Sequence, residues 1–333
     1  PVARNLLTYI PLGNTTDANG QARLLAAGTA PVNIDQHTID LRHTLAANDS
    51  LHGYYAYQKD LRQEPNAQLN TVPGFGDTRG GKRQVMTINE THVFGPALVN
   101  EARVGYNRIN ISFNPLVVVN PADLGISNGI NFPLALPQTR ITSLGLDFGG
   151  PANFPQGRTV ITWVGSDTAT LLKGNHVIKM GGEYRHASVS TFTNDPGTFT
   201  YATVAAFQQG IGNSFTQTLG DRSANFVIPA VGAFVQDNWS IGSNLKLDLG
   251  LRYDFIGTPS EENDKMVVFD ASTVSLVQVG SSGKDEIHPS TGDFQPRLGA
   301  IWTPNGGNFV VRGAYAVMIN QTNTGYFAAT ASN

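Results

Sequence analysis

Polar and apolar residues alternate with a period of two over most of this chain, and the alternation recurs in one form. A strand-like run meets a very short turn, a second run follows, and a long polar segment leads to the next pair. Five such units are readable: 37–46 with 50–60, 84–94 with 98–114, 158–171 with 175–190, 225–239 with 244–256, and 295–303 with 308–320. Their turns, such as Gly95-Pro96-Ala97 and Pro304-Asn305-Gly306-Gly307, carry residues that accept positive φ or fix a turn entry. Helix signals are confined to 21–27 and 204–210. The segments between units, 61–83, 115–157, 191–224 and 257–294, all exceed the roughly 12–15 residues beyond which a structureless loop is unusual in a compact domain. Strict alternation of tight turn and long loop is the topology of an outer-membrane barrel, whose strands cross in about 9–11 residues.

The strand faces sharpen this. Leu245, Leu247, Leu249, Leu251, Tyr253 and Phe255 fall on one face of a strand, and Lys246, Asp248, Gly250, Arg252 and Asp254 on the other. Likewise Glu101 and Arg103 oppose Ala102, Val104 and Tyr106, Lys179, Glu183 and Arg185 oppose Ile178, Met180 and Tyr184, and Arg312 opposes Val311, Gly313 and Tyr315. A soluble sandwich would bury the apolar faces on a second sheet. Two features favour lipid: close-set charges of both signs on the polar faces, and Phe94, Trp239, Trp302 and Phe309 beside the tight turns, where an interfacial aromatic girdle lies. The predicted fold class is all-β, an antiparallel up-and-down meander of about ten long strands forming a partial transmembrane β-barrel. Residues 1–36 are expected to be loop or incomplete strand, 37–320 the barrel segment, and 321–333 the start of a further loop.

Composition then fits. Charged residues are 14% of 333, against about 25% in an average soluble domain, while hydrophobic residues reach only 40%. A thin wall, apolar outside and polar inside with no core of its own, has this profile. The net charge of −3 gives no basic excess for nucleic acid, and zero Cys excludes thiolate chemistry and disulfides. No apolar run is long enough for a membrane helix. Pro1 in place of Met, with no apolar signal core, is expected of a processed product or a piece of a longer protein.

The run His92-Val93-Phe94-Gly95-Pro96-Ala97-Leu98-Val99-Asn100-Glu101-Ala102-Arg103-Val104-Gly105-Tyr106-Asn107-Arg108 resembles a strand–turn–strand signature of TonB-dependent outer-membrane receptors of the Oar-like type. So do 173–185, Phe234-Val235-Gln236-Asp237-Asn238-Trp239 with Gly250-Leu251-Arg252-Tyr253, Pro296-Arg297-Leu298-Gly299-Ala300, and Val311-Arg312-Gly313-Ala314-Tyr315. The resemblance implies a part of a 22-stranded barrel with a plug in its lumen and a place in the bacterial outer membrane. It also implies energised uptake of a large, unidentified solute, or in the Oar branch surface adhesion or protein export. The implied partners are outer-membrane lipid, the remaining strands and plug, and TonB through an N-terminal part with no counterpart in this sequence. A soluble secreted carbohydrate-binding β protein is the other reading.

No enzyme motif survives inspection, and no cofactor or metal is expected. Asp147-Phe148-Gly149 spells the kinase magnesium triplet without its companions. Gly210-Ile211-Gly212 fails the dinucleotide fingerprint. None of the seven His forms an HExxH-type pair, and each reads as a polar surface group. Glu261-Glu262-Asn263-Asp264 and Asp285-Glu286 are acidic enough to suggest calcium but lack a calcium-loop spacing, so they read as a solvated loop. The inward charges Glu101, Arg103, Lys179, Glu183, Arg185, Lys246, Asp248, Arg252, Asp254 and Arg312 are expected to pair across adjacent strands as a lattice or to line a solute path.

Overall fold

A computed structural model describes residues 1–66, 70–279, 290–304 and 309–320. Ten long strands dominate it: β1 (Val32–Ala46), β2 (Asp49–Glu64), β3 (Asp77–Gly95), β4 (Leu98–Pro115), β5 (Gln156–Lys173), β6 (His176–Thr193), β7 (Ala224–Ile241), β8 (Leu245–Ile256), β9 (Phe294–Trp302) and β10 (Val311–Ala316). They pair antiparallel in chain order, and the short strand Ser260–Glu261 continues the β7 ladder beyond β8. The meander and its five hairpins are those expected from the sequence. Among the described residues no ladder joins β1 to β10, so the sheet is open at both edges. No helix among them is long and apolar enough to cross a membrane.

Directly paired residues of an antiparallel sheet share a face. The ladders therefore put Leu245, Leu247, Leu249, Leu251 and Tyr253 on the same side as Trp302, Ala300, Leu298, Pro296 and Phe294 of β9, and as Ile241, Trp239, Asp237, Val235 and Ala233 of β7. The same side carries Met180 and Tyr184 of β6, Trp163 of β5, Val104 of β4, Ile88 of β3 and Ile39 of β1. None of these side chains is buried, and Leu249 keeps 38% and Leu251 45% of its surface. No second sheet covers this face, which removes the sandwich reading. A largely apolar face on this scale, broken by few charges such as Asp237, marks contact with a partner or with lipid.

Several boundaries differ from the sequence expectation. Residues 1–36 hold a short helix, α1 (Val2–Leu7), a two-strand ladder of Thr15–Thr16 with Ala22–Arg23, and the start of β1, so no helix forms over 21–27. The expected loop 61–83 shrinks because β2 runs to Glu64 and β3 begins at Asp77. Outside the lipid band the outward face meets water, so alternation of hydrophobicity stops before the strand does. Residues 321–333 lie outside the described residues.

The long connections are not bare loops. Short strands at Gln138–Ile141, Leu146–Phe148, Thr198–Tyr201 and Ser214–Thr216 form a separate sheet, beside the helix α2 (Val204–Gln209). Leu6 of α1, Val72, Phe75, Ile126, Leu136, Ile141, Phe148, Tyr201 and Phe207 form one buried cluster there. This cap corrects the expectation of a wall with no core: segments that leave the wall at its long-loop end bury apolar surface on one another. Phe148 of the kinase-like triplet is fully buried in it, and Asp147 accepts a hydrogen bond from Arg140 at 2.8 Å. Gly149 has φ 110°, and a Cβ there would collide with the Pro137 carbonyl. The triplet is structural. Gly210 likewise serves as the C-cap of α2.

Candidate functional site: the polar face of the wall

The other face of the sheet gathers the charges. Register places Glu101 and Arg103 of β4, Lys179, Glu183 and Arg185 of β6, Lys246, Asp248, Arg252 and Asp254 of β8, and Arg312 of β10 on one side of one sheet. The charge-bearing positions read from sequence thus share a surface. Asp60 of β2 and Asp77, Arg79 and Arg83 of β3 join them, and these were not singled out in the sequence. Their signal is alternating charge and glycine over Asp77-Thr78-Arg79-Gly80-Gly81-Lys82-Arg83, not alternating hydrophobicity.

At the long-loop end this face is covered. Met266, from the connection after β8, packs on Val189 and Phe226, two inward residues paired across β6 and β7. Phe154, from the connection before β5, packs on the inward ring of Phe113 at 5.6 Å between centroids, and the Arg79 guanidinium lies over that ring. Below them a hollow of about 480 Å³ is lined by Val85, Thr87, Asn107, Thr162, Val164 and Arg185, among others.

Pairing follows a gradient along the strands. Near the loops the buried Asp77 and Asp254 carboxylates each accept a two-pronged pair of hydrogen bonds, from Arg79 (2.8 and 3.1 Å) and Arg252 (2.7 and 2.6 Å). Such forks are the geometry in which a buried carboxylate is tolerated. Gln295 also donates to Asp254, Arg185 donates to Glu183 at 2.9 Å, and Arg83 pairs with Asp60. Toward the tight turns Asn238 donates to Asp248 at 2.7 Å and Arg103 to Asn89 at 2.5 Å. Glu101, Lys179, Lys246 and Arg312 make no ion pair or side-chain hydrogen bond among the described residues. Contrary to expectation, most of the ion pairs link residues two apart on one strand. Adjacent strands contribute mainly neutral partners, Asn and Gln.

Gly232 is what lets two charged pairs sit together. It lies between Glu183 of β6 and Asp254 of β8. A Cβ there would meet Asp254 Oδ1 and come within 2.6 Å of Arg252 Nη2. The charges of Glu183 and Arg185 thereby act on Arg252 and Asp254. Gly232→Leu is expected to break the fork and cost about 1–3 kcal/mol, the usual range for overpacking. Urea unfolding in detergent, compared with Gly165→Ala on the open outward side, checks this.

Of the girdle residues, Trp239 and Trp302 point outward within a few residues of their turns. Phe94 and Phe309 are exposed, and Phe309 precedes β10. Further outward rings, unnoticed in sequence, lie nearer the loops: Tyr106 with Trp163 at 4.6 Å and Tyr253 with Phe294 at 4.8 Å. Phe294 and Trp302 are eight residues apart on β9, roughly 27 Å along the strand and, at a tilt near 45°, about 19 Å across the membrane. Two aromatic levels at that separation bracket most of an apolar band about 25 Å tall.

The acidic loop is also spent structurally. Glu261 accepts from the backbone N–H groups of Asn225 (3.0 Å), Asn263 (2.9 Å) and Lys265 (2.8 Å). Burial pushes its carboxyl up, but these amides and Lys265 outweigh it and hold it below the usual range. Asp285 and Glu286 lie outside the described residues. Asp270, hydrogen-bonded by Ser272 and Thr273, is held at about 2. A depressed carboxyl stabilises its turn fully above the ordinary aspartate range and loses that contribution as pH falls through the folded value. The amide resonance of Ser272 is therefore expected to hold its position down to about pH 4 and to move as pH approaches 2.

The model of the outer membrane beta barrel domain matches residues 1–333. The chain belongs to this family. Among solved structures, the outer membrane transporter YddB from Escherichia coli superposes with a TM-score of 0.50 at 10% identity, covering 91% of this chain and 42% of that one. The open form of the ferric-catecholate import receptor Fiu from E. coli K12 gives 0.49 at 14% identity, over 86% of this chain and 47% of Fiu. FpvA of P. aeruginosa gives 0.47 at 12%, over 83% and 34%. No curated protein matches. The chain spans less than half the length of these structures. This outer-membrane β-barrel domain accordingly resides in the bacterial outer membrane, its apolar face in lipid, its polar face toward the lumen and its tight turns toward the periplasm.

Proposed function

We propose that the chain is part of the wall of a TonB-dependent transporter for energised uptake of a large solute. The observation that carries this reading is the ten-strand meander with one continuous polar inner face, in the fold shared with the outer membrane transporter YddB. The gradient of pairing supports it. Charges that hold the wall together sit near the loops, while Glu101, Lys179, Lys246 and Arg312 toward the turns stand open to a luminal plug. Solute contacts then fall to the cap and to the hollow beside Arg185.

The test is accumulation of candidate solutes in cells carrying the intact gene, with and without TonB. Uptake that is lost both on gene deletion and on TonB removal is expected. Loss of surface adhesion with unchanged accumulation of every solute tried would overturn this in favour of an adhesion barrel.

A further inference from the structure

The outward face is apolar through most of its height but not at the tight-turn rim between the first two hairpins. Asp49 opens β2 just after the turn and pairs directly with His92 of β3. Glu90 lies two residues along β3 on the same face, opposite Leu51. One ligand atom from each of Asp49, Glu90 and His92 lies within 4.8 Å of the other two. Ile88, the next outward residue of β3, is exposed in the apolar belt, so the cluster sits at its margin.

Three observations bear on this cluster. First, Asp49 Oδ1 is buried and has no hydrogen-bond partner, a feature it shares with Asp237 Oδ1; a buried carboxylate oxygen left unpaired is costly. Second, the His92 ring is flanked at both nitrogens. Nδ1 faces Asp49 Oδ2 at 3.6 Å, too far for a hydrogen bond, while Nε2 lies 3.4 Å from the Asn48 side-chain amide. Phe94 packs on the ring at 4.4 Å. Third, the same wall holds a control. His176 and Asp237 form a second outward pair beside Trp239, but there the Nδ1–Oδ2 distance is 2.7 Å and no third ligand among the described residues stands within reach. Where the third carboxylate is present, the histidine–aspartate contact has opened.

We propose that Asp49, Glu90 and His92 bind one divalent transition cation of the zinc class at the periplasmic rim. One imidazole and two carboxylates suit a borderline cation. Small side-chain rotations bring the three atoms to the roughly 2.0–2.2 Å that zinc takes from nitrogen and oxygen. Two positive charges would cancel the two carboxylates where they adjoin lipid, and would tie the turn at Asn48 to β3. The site depends on the membrane wall alone and not on what the barrel transports.

The test uses the intact protein in detergent, stripped with a chelator and titrated with Zn²⁺ by calorimetry, with Co²⁺ absorption as a spectroscopic readout. One equivalent is expected. Asp49→Asn, Glu90→Gln and His92→Ala should each weaken binding at least 10-fold, the lower end of what losing even an outer-shell partner costs. The His176→Ala/Asp237→Asn double variant should bind as the parent does. The near-isosteric Glu90→Gln keeps the test decisive if His92→Ala does not fold. No stoichiometric binding, unchanged binding in Glu90→Gln, or equal loss in the control variant would overturn the proposal.

Discussion

Leu298→Arg is expected to destabilise the barrel by about 2–4 kcal/mol, the cost of an arginine on the lipid face near the bilayer midplane. Leu298 is exposed, flanked on the same face by Leu249 of β8 and Tyr315 of β10, and lies midway between the two aromatic levels. Exposure in a soluble protein would make such a change nearly neutral; here the surrounding medium is hydrocarbon. Ser166→Arg is the matched control. Ser166 points inward between Arg103 and Glu183, where a further guanidinium meets a carboxylate. Urea unfolding in lipid vesicles should separate the two by more than 2 kcal/mol in midpoint-derived stability, and equal effects would refute the assignment of faces.

The second large effect belongs to the cap. Phe148 is fully buried and touches the rings of Phe75 (5.8 Å) and Phe207 (6.3 Å), each from a different connection between wall strands. Phe148→Ala should remove about 3–5 kcal/mol from that cluster. The loss is local, because the wall strands are held by their own ladders. Limited proteolysis should therefore open the connections 116–155 and 194–223 while the strands stay resistant. If the wall also becomes sensitive, cap and wall unfold as one unit.

The two predictions correspond to what was and was not legible in the sequence. The Leu245–Phe255 alternation is plain because lipid and lumen impose opposite demands on successive residues over one bilayer thickness. Trp239 and Trp302 fall on the same face as Leu247 and Leu245. The period-two logic failed over Asp77–Arg83, where both faces of β3 are polar and only alternating charge and glycine remained. It failed completely for the cap, whose core joins Leu6, Val72, Phe148 and Phe207 across more than half the chain with no shared period. The charged positions share one face of the sheet, but period two does not give their pairings. Period two says which residues share a face; the rotamers of Arg252 and Arg79 decide that each folds back on its own strand. His92 was passed over because Asp49 reaches it from the neighbouring strand. Only Glu90-x-His92 is local.

The length of the strands bears on what the cell surface presents. A crossing needs about 9–11 residues, whereas β3 has 19 and β4, β5, β6 and β7 have 18 each. At about 3.3 Å per residue and a tilt near 45°, the surplus lifts the strand ends on the order of 15–20 Å clear of the lipid. The barrel thus ends in a rampart, with the cap as its parapet. An antibody or a phage tail approaching the cell is expected to meet the cap long before any residue of the lipid belt, so recognition and escape substitutions should accumulate on its exposed residues.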